Sequence, residues 1–290
     1  MILQTQIPLS RQPDNHIDYQ SKLVLLGSCF AENIAEKFEY YKFQTTFNPF
    51  EIIFNPLSIE KLLSKSIQKD YFTEADVFYH NEQWHCYDVH SKLSHSSKEE
   101  LLIQLNNQTV ANCHKVPQNY FTKVLLSIED ISQSLCSIVE NVLRINPKAK
   151  FIFTVSPVRH IKDGFVENTQ SKAHLISAIH QFLNQLSSIN NQQSFYFPSY
   201  ELLMDELRDY RFYTDDMLHP NQIAINYIWE KFNDVWIHSK AYKTMGIVES
   251  IQKGLQHQPF NPETQTHQQF VKTLEANQIA LQNQFPHMVF

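Results

Sequence analysis

The sequence predicts an α/β fold with a mainly parallel sheet and a helical tail, and three observations carry that expectation. After Lys22, Leu23-Val-Leu-Leu26 is short and unbrokenly apolar, as in a strand covered on both faces. Behind it, Ala31, Ile34, Ala35 and Phe38 recur at the spacing of one helix face. A second strand-like run, Lys150-Phe-Ile-Phe-Thr-Val155, is followed after a loop by a helical pattern over 169–186. Strands separated by helices imply parallel pairing, because parallel neighbours need a crossover connection.

The remaining elements follow in chain order. Residues 1–20 form a polar lead-in, and Phe43-Gln-Thr-Thr-Phe47 reads as a strand. A helix over 57–67 is entered through Pro56, whereas residues 70–95 show no regular period and read as an irregular insertion. Ser127-Ile-Glu-Asp130 has the form of a capping box, and Ile131, Leu135, Ile138, Val139 and Val142 continue it as one helix face. Ser194-Phe-Tyr-Phe-Pro198 is a strand, 200–210 a polar helix and 211–220 a loop. The helix over 221–236 carries Ile223, Ile225, Ile228, Phe232 and Val235, with Pro220 suited to its first turn. Past Lys240 the chain turns glutamine-rich, with a helical pattern over 268–283. One domain over 1–240 with a helical extension over 241–290 is therefore expected.

Composition excludes several function classes. At 290 residues and 42% hydrophobic content the chain can bury a substantial core. The net charge is −6 and the basic residues are scattered, so no nucleic-acid footprint is expected. No apolar run approaches a membrane span, and Met1 to Pro8 lacks the basic and apolar regions of a signal peptide. Cys29, Cys86, Cys113 and Cys136 have no paired spacing, which argues against a disulfide or zinc framework. A cytoplasmic protein without metal or cofactor is the expectation. His80, His85, His90 and His95 recur every five residues, a period that matches neither a helix face nor a strand side. They read as surface histidines, with His85 and His90 as candidates for lining a substrate entrance.

Chemistry concentrates at two places. Gly27-Ser28-Cys29 sits between a strand and a helix, where unpaired amides and the helix dipole favour negative charge. Ser28 there reads either as a helix cap or as a nucleophile whose oxyanion meets the Ser28 and Cys29 amides. The Cys29 thiol is a rival nucleophile. Far along the chain, Asp216-Met-Leu-His219 spaces a carboxylate to orient an imidazole that faces a hydroxyl. Asp215 or Asp216 also reads as a helix-entry cap and His219 as a plain loop residue. Arg159 follows the strand ending at Val155, where α/β proteins bind ligands; it suits an anionic or carbonyl group, or a structural ion pair.

Gly27-Ser-Cys-Phe-Ala31 resembles the signature of the GSCFA family, a group related to the SGNH (GDSL-like) hydrolases. Asn48-Pro49-Phe50, Phe54-Asn-Pro-Leu-Ser-Ile59, Val110-Ala-Asn-Cys-His-Lys-Val-Pro-Gln118, Ser156-Pro-Val-Arg159 and Asp216-x-x-His219-Pro220 agree with it. The resemblance spans roughly residues 20–240. It implies a three-layer α/β/α fold with Ser28 as nucleophile, His219 as base and Asp216 as its orienting partner. Two departures stand out. Glu51 occupies the place of a glycine after Asn48-Pro49-Phe50, and Glu99 to Gln108 runs into Thr109 without the apolar strand and glycine turn the pattern has there. With no glycine between Gly27 and Gly164, Asn48 is the remaining candidate for a side-chain oxyanion donor, or else it shapes the Asn-Pro turn. The expected function is a metal-independent esterase acting through an acyl-enzyme on small-molecule esters, with carbohydrate O-acyl esters as the class suggested by analogy. Acyl transfer to another hydroxyl would use the same residues, and a non-catalytic binding or scaffold member is the alternative that the two departures motivate.

Overall fold

The computed structural model describes residues 5–49, 51–88, 90–107, 123–188 and 193–290. Phe50 and the Val110 to Gln118 segment, with Asn112, Cys113 and His114, lie outside the described residues. The first elements are β1 (Lys22–Leu25), α1 (Cys29–Tyr40), β2 (Gln44–Phe47), α2 (Pro56–Gln68), β3 (Val77–His80), β4 (Gln83–Cys86) and α3 (Lys98–Asn107). They are followed by α4 (Ile128–Ile145), β5 (Phe151–Phe153), α5 (Phe165–Ser188), β6 (Ser194–Tyr196) and the short α6 (Ser199–Glu201). Last come α7 (Gln222–Trp236), α8 (Ala241–Gln256) and α9 (Gln265–Gln284).

The fold is mixed α/β. β1 and β2 pair in parallel around the α1 crossover, and β5 and β6 do the same around α5. Each sheet of the described residues holds two strands. Residues 98–107, where the resemblance called for an apolar strand, are helical, and their leucines face inward: Leu101 and Leu105 are fully buried.

The chain forms two compact units. One comprises Met1–Ile7, Leu26–Ala31 and Asn48–Ile228; the other comprises Pro8–Leu25, Glu32–Phe47 and Trp229–Phe290. In the first, α4 packs along α5 through Ile131, Leu135, Val139, Ala178, Ile179 and Phe182, with Val155 beneath them. The capping box at Ser127 and Asp130 forms as expected and starts α4. A second cluster gathers Ile53, Leu62, Phe72, Cys86, Leu93, Leu101 and Leu105. The other unit is built on aromatic rings: Phe38 meets Trp229 edge-on at 4.9 Å, and Tyr19 stacks on Phe43 at 4.3 Å.

Four local expectations are corrected. Residues 77–86 are not irregular but an antiparallel hairpin, turned by Asn81 and Glu82 at φ +46° and +61°. That is the double left-handed turn hairpins favour, hidden here because glutamate stands where glycine is usual. α5 begins at Phe165, four residues before its polar-apolar period becomes visible, because Phe165 and Val166 are exposed. Over 200–210, a single α turn passes into π geometry at Leu202–Leu207. Pro220 precedes α7 rather than entering it, and the Asn221 side chain takes the Ile223 and Ala224 amides as the cap.

A turn at residues 48–51 bears directly on the site. Glu51 N donates to Asn48 O at 2.7 Å, with Asn48 at φ +36° and Glu51 at φ +58°. The left-handed backbone at 51 is where a glycine costs nothing and a side chain costs roughly 1 kcal/mol. Lys92 lies 3.3 Å from the Glu51 carboxylate, a solvent-facing pair that returns only a fraction of that. Replacing Glu51 with glycine is therefore expected to stabilise the protein by up to about 1 kcal/mol, read as a higher urea midpoint at unchanged slope.

Candidate functional site

Gly27, Ser28 and Cys29 make the corner between β1 and α1. A Cβ on Gly27 would lie 3.0 Å from the Ala31 Cβ, so the first helical turn closes against this residue. The corner is held from outside: Gly27 N donates to Asn48 Oδ1 at 2.9 Å, and Ile53 N donates to Gly27 O at 3.1 Å. The Ser28 carbonyl accepts from Ala31 N at 2.8 Å and its hydroxyl oxygen accepts from Phe30 N at 3.2 Å. Ser28 is thus the helix cap that the simpler reading expected. Its hydroxyl also donates to Ser156 Oγ at 2.9 Å. Among the described residues no acceptor engages the Ser28 amide.

Asp216 and His219 lie on a loop closed at its base. Tyr213 bridges Pro220, Thr214 N donates to His219 O at 2.8 Å, and Asn221 Nδ2 donates to Arg211 O at 2.7 Å. Inside the loop Met217 sits at φ +60°, a strained position for a side chain. Asp216 Oδ1 accepts from the Thr214 hydroxyl at 2.7 Å, from Leu218 N at 2.8 Å and from His219 N at 3.0 Å. Asp216 Oδ2 lies 2.6 Å from His219 Nδ1. The amide of His219, then the Thr214 hydroxyl, the Leu218 amide and the imidazole hold the Asp216 carboxyl well below the usual carboxylate range. An ionised carboxylate on Nδ1 favours the tautomer that leaves Nε2 able to accept a proton. Both side chains are 44% exposed, so the pair is open to solvent and to a ligand.

The segment 156–159, just past β5, touches both places. Ser156 Oγ receives the Ser28 hydroxyl and also the Val158 amide at 3.3 Å. Arg159 N donates to Leu218 O at 3.1 Å, and its Nη1 reaches Met217 O at 3.5 Å. The guanidinium lies over the rings of Tyr213 at 4.4 Å and Tyr210 at 5.1 Å. Lys172, from the first half of α5, donates to Ser156 O at 2.7 Å. Burial pushes its ammonium down to about 8, with Cys29 opposing the shift.

Measured against the sequence, Asp216 and His219 are paired as expected, and Ser28, Asn48 and Gly27 share one corner. The Ser28 hydroxyl, however, is bonded to Ser156, and Arg159 braces the histidine loop instead of standing free. Asn48 is 8% exposed and shapes its turn, with Oδ1 spent on Gly27 N. His85 is not a surface group. It is 6% exposed, with Nδ1 2.6 Å from Ser94 Oγ and Nε2 2.8 Å from His80 O. Sequence reasoning missed Ser156 and Lys172. Lys172 had a legible signal: it lies three, four and seven residues before Leu175, Ile176 and Ile179, on the apolar stripe of α5.

Two family models match the chain. The GSCFA family matches residues 22–109 and 103–232, and the model described as GSCFA domain protein, C-terminal domain, matches 248–290. No curated protein and no solved structure matches it.

Asn48→Ala removes the acceptor of the Gly27 amide and leaves alanine in a left-handed backbone. The expected loss is about 2 kcal/mol, read by urea unfolding, with Asn48→Asp retaining most of the wild-type stability.

Proposed function

The chain belongs to the GSCFA family, and from that premise we propose that it is a serine hydrolase of ester bonds, arranged as in the SGNH hydrolases with a three-layer fold. The observation that carries the proposal is the Asp216–His219 pair at 2.6 Å, on a loop tied through residues 156–159 to the hydroxyl of Ser28. In the reaction the Ser28 hydroxyl turns from Ser156 to His219 Nε2. The Ser28 oxygen attacks the ester carbonyl as its proton passes to the imidazole. The oxyanion is met by the Ser28 and Cys29 amides at the start of α1. The imidazolium then protonates the departing alkoxide. Water, deprotonated by the same histidine, releases the acyl group and restores Ser28. Carbohydrate O-acyl esters are the substrate class this reading favours, by analogy.

Arg159 enters as a brace for the histidine loop, its guanidinium also facing any anionic part of a substrate. Among the described residues, no helix is long and apolar enough to cross a membrane. The cysteines of the sequence have no paired spacing, and we propose a cytoplasmic location on that ground.

A second reading has its own observation. The Ser28 hydroxyl rests on Ser156 and not on an imidazole, and glutamate fills the left-handed position 51. A binding member of the family that has lost the reaction would show both features.

One experiment separates the two readings. A fluorophosphonate is expected to label the wild-type protein, and Ser28→Ala is expected to abolish labelling. Asp216→Asn keeps the Oδ1 acceptor but presents an NH2 group to the imidazole, and is expected to lower turnover of a model ester by about 10³–10⁴-fold with the fold intact. Absence of wild-type labelling favours the binding reading.

A further inference from the structure

Lys172 lies on an apolar helix stripe and reaches the segment beside the candidate nucleophile. Its spacing places it on the helix face that continues as Leu175, Ile176 and Ile179, and its Nζ donates to Ser156 O at 2.7 Å. The hydroxyl of that same serine is the acceptor for Ser28 Oγ at 2.9 Å and for Val158 N at 3.3 Å. A line of two hydrogen bonds through one residue therefore joins the Lys172 ammonium to the candidate nucleophile. Burial of an ammonium is costly, and one carbonyl replaces only part of the water it gives up. Its position is explained if the charge is needed where negative charge develops.

We propose that Lys172 is a positioning residue for the reaction at Ser28: by clamping the Ser156 carbonyl it sets the hydroxyl that orients Ser28, and it holds a positive charge beside the Ser28–Cys29 corner. The inference rests on the hydrolase reading above and deepens it. Among the described residues, the titratable groups in electrostatic reach of the ammonium are Cys29 on α1 and His160 after β5. Since burial brings Lys172 down to about 8, its charge is present below that pH and lost above it. Ser28 reactivity therefore falls as pH rises through about 8, and the fall belongs to Lys172.

The test is the rate at which a fluorophosphonate labels Ser28, followed from pH about 6 to about 10 in the full chain. Wild type is expected to show the alkaline fall, and Cys29→Ser to keep it. Lys172→Met is expected to label about ten- to a hundredfold more slowly, without the alkaline fall. Lys172→Arg, which stays charged, is expected to recover most of the rate and to hold it at high pH. Ser156→Ala is expected to slow labelling with the alkaline fall still present. A wild-type profile flat through pH 8, or one matched by Lys172→Met, overturns the role of Lys172 while leaving the hydrolase standing. Wild type that never labels overturns both.

Discussion

The bond between the hydroxyls of Ser28 and Ser156 is the contact on which the rest of the site depends. It links a helix N-terminus to the segment after β5, and that segment in turn carries Arg159 to the histidine loop. The Arg159 amide and guanidinium take the Leu218 and Met217 carbonyls, so the loop bearing Asp216 and His219 is positioned by the same four residues that receive Ser28. Parts far apart in sequence are thus referenced to one short piece of backbone. A hydroxyl suits that junction because it accepts from Ser28 and from Val158 while keeping a proton of its own.

Most of the elements were legible because their signals are local. The α1 stripe, the Ser127–Asp130 box and the apolar run of β5 need nothing beyond nearest neighbours in one turn or one strand. The Asp216–His219 pair was legible for the same reason, since three residues separate the partners and backbone amides of the same loop fix the carboxylate. The hairpin at 77–86 was not, because its turn uses Asn81 and Glu82 where the sequence rule looks for glycine. Neither was Ser156, which gains meaning only from a partner 128 residues away. His85 looked like surface because its burial comes from Ser94 and the carbonyl of His80, contacts a five-residue period does not reveal.

The site also gathers backbone that a stability optimum would avoid. Asn48, Glu51 and Met217 all hold left-handed φ values without being glycine. Two of them flank the Ser28 corner and the third lies between Asp216 and His219. For Asn48 the reason is on view: the conformation aims Oδ1 at the Gly27 amide and so fixes the corner. Among the described residues the Glu51 side chain has an ion pair with Lys92 in return, which is why its strain reads as tolerated and that of Asn48 as used.

Charge follows the same division between function and stability. Asp216 is exposed and surrounded by donors that hold its carboxyl well below the usual range, and they stabilise the folded loop above the ordinary carboxylate range. Lys172 has the opposite sign. Its folded value of about 8 lies below the free lysine value of 10.5, so folding disfavours its proton. The penalty is fully present below pH 8 and is relieved as pH climbs from 8 towards 10.5. A chain selected for stability alone would place a leucine on that stripe. On the proposed role, the bond to the residue that also receives Ser28 is what offsets that cost.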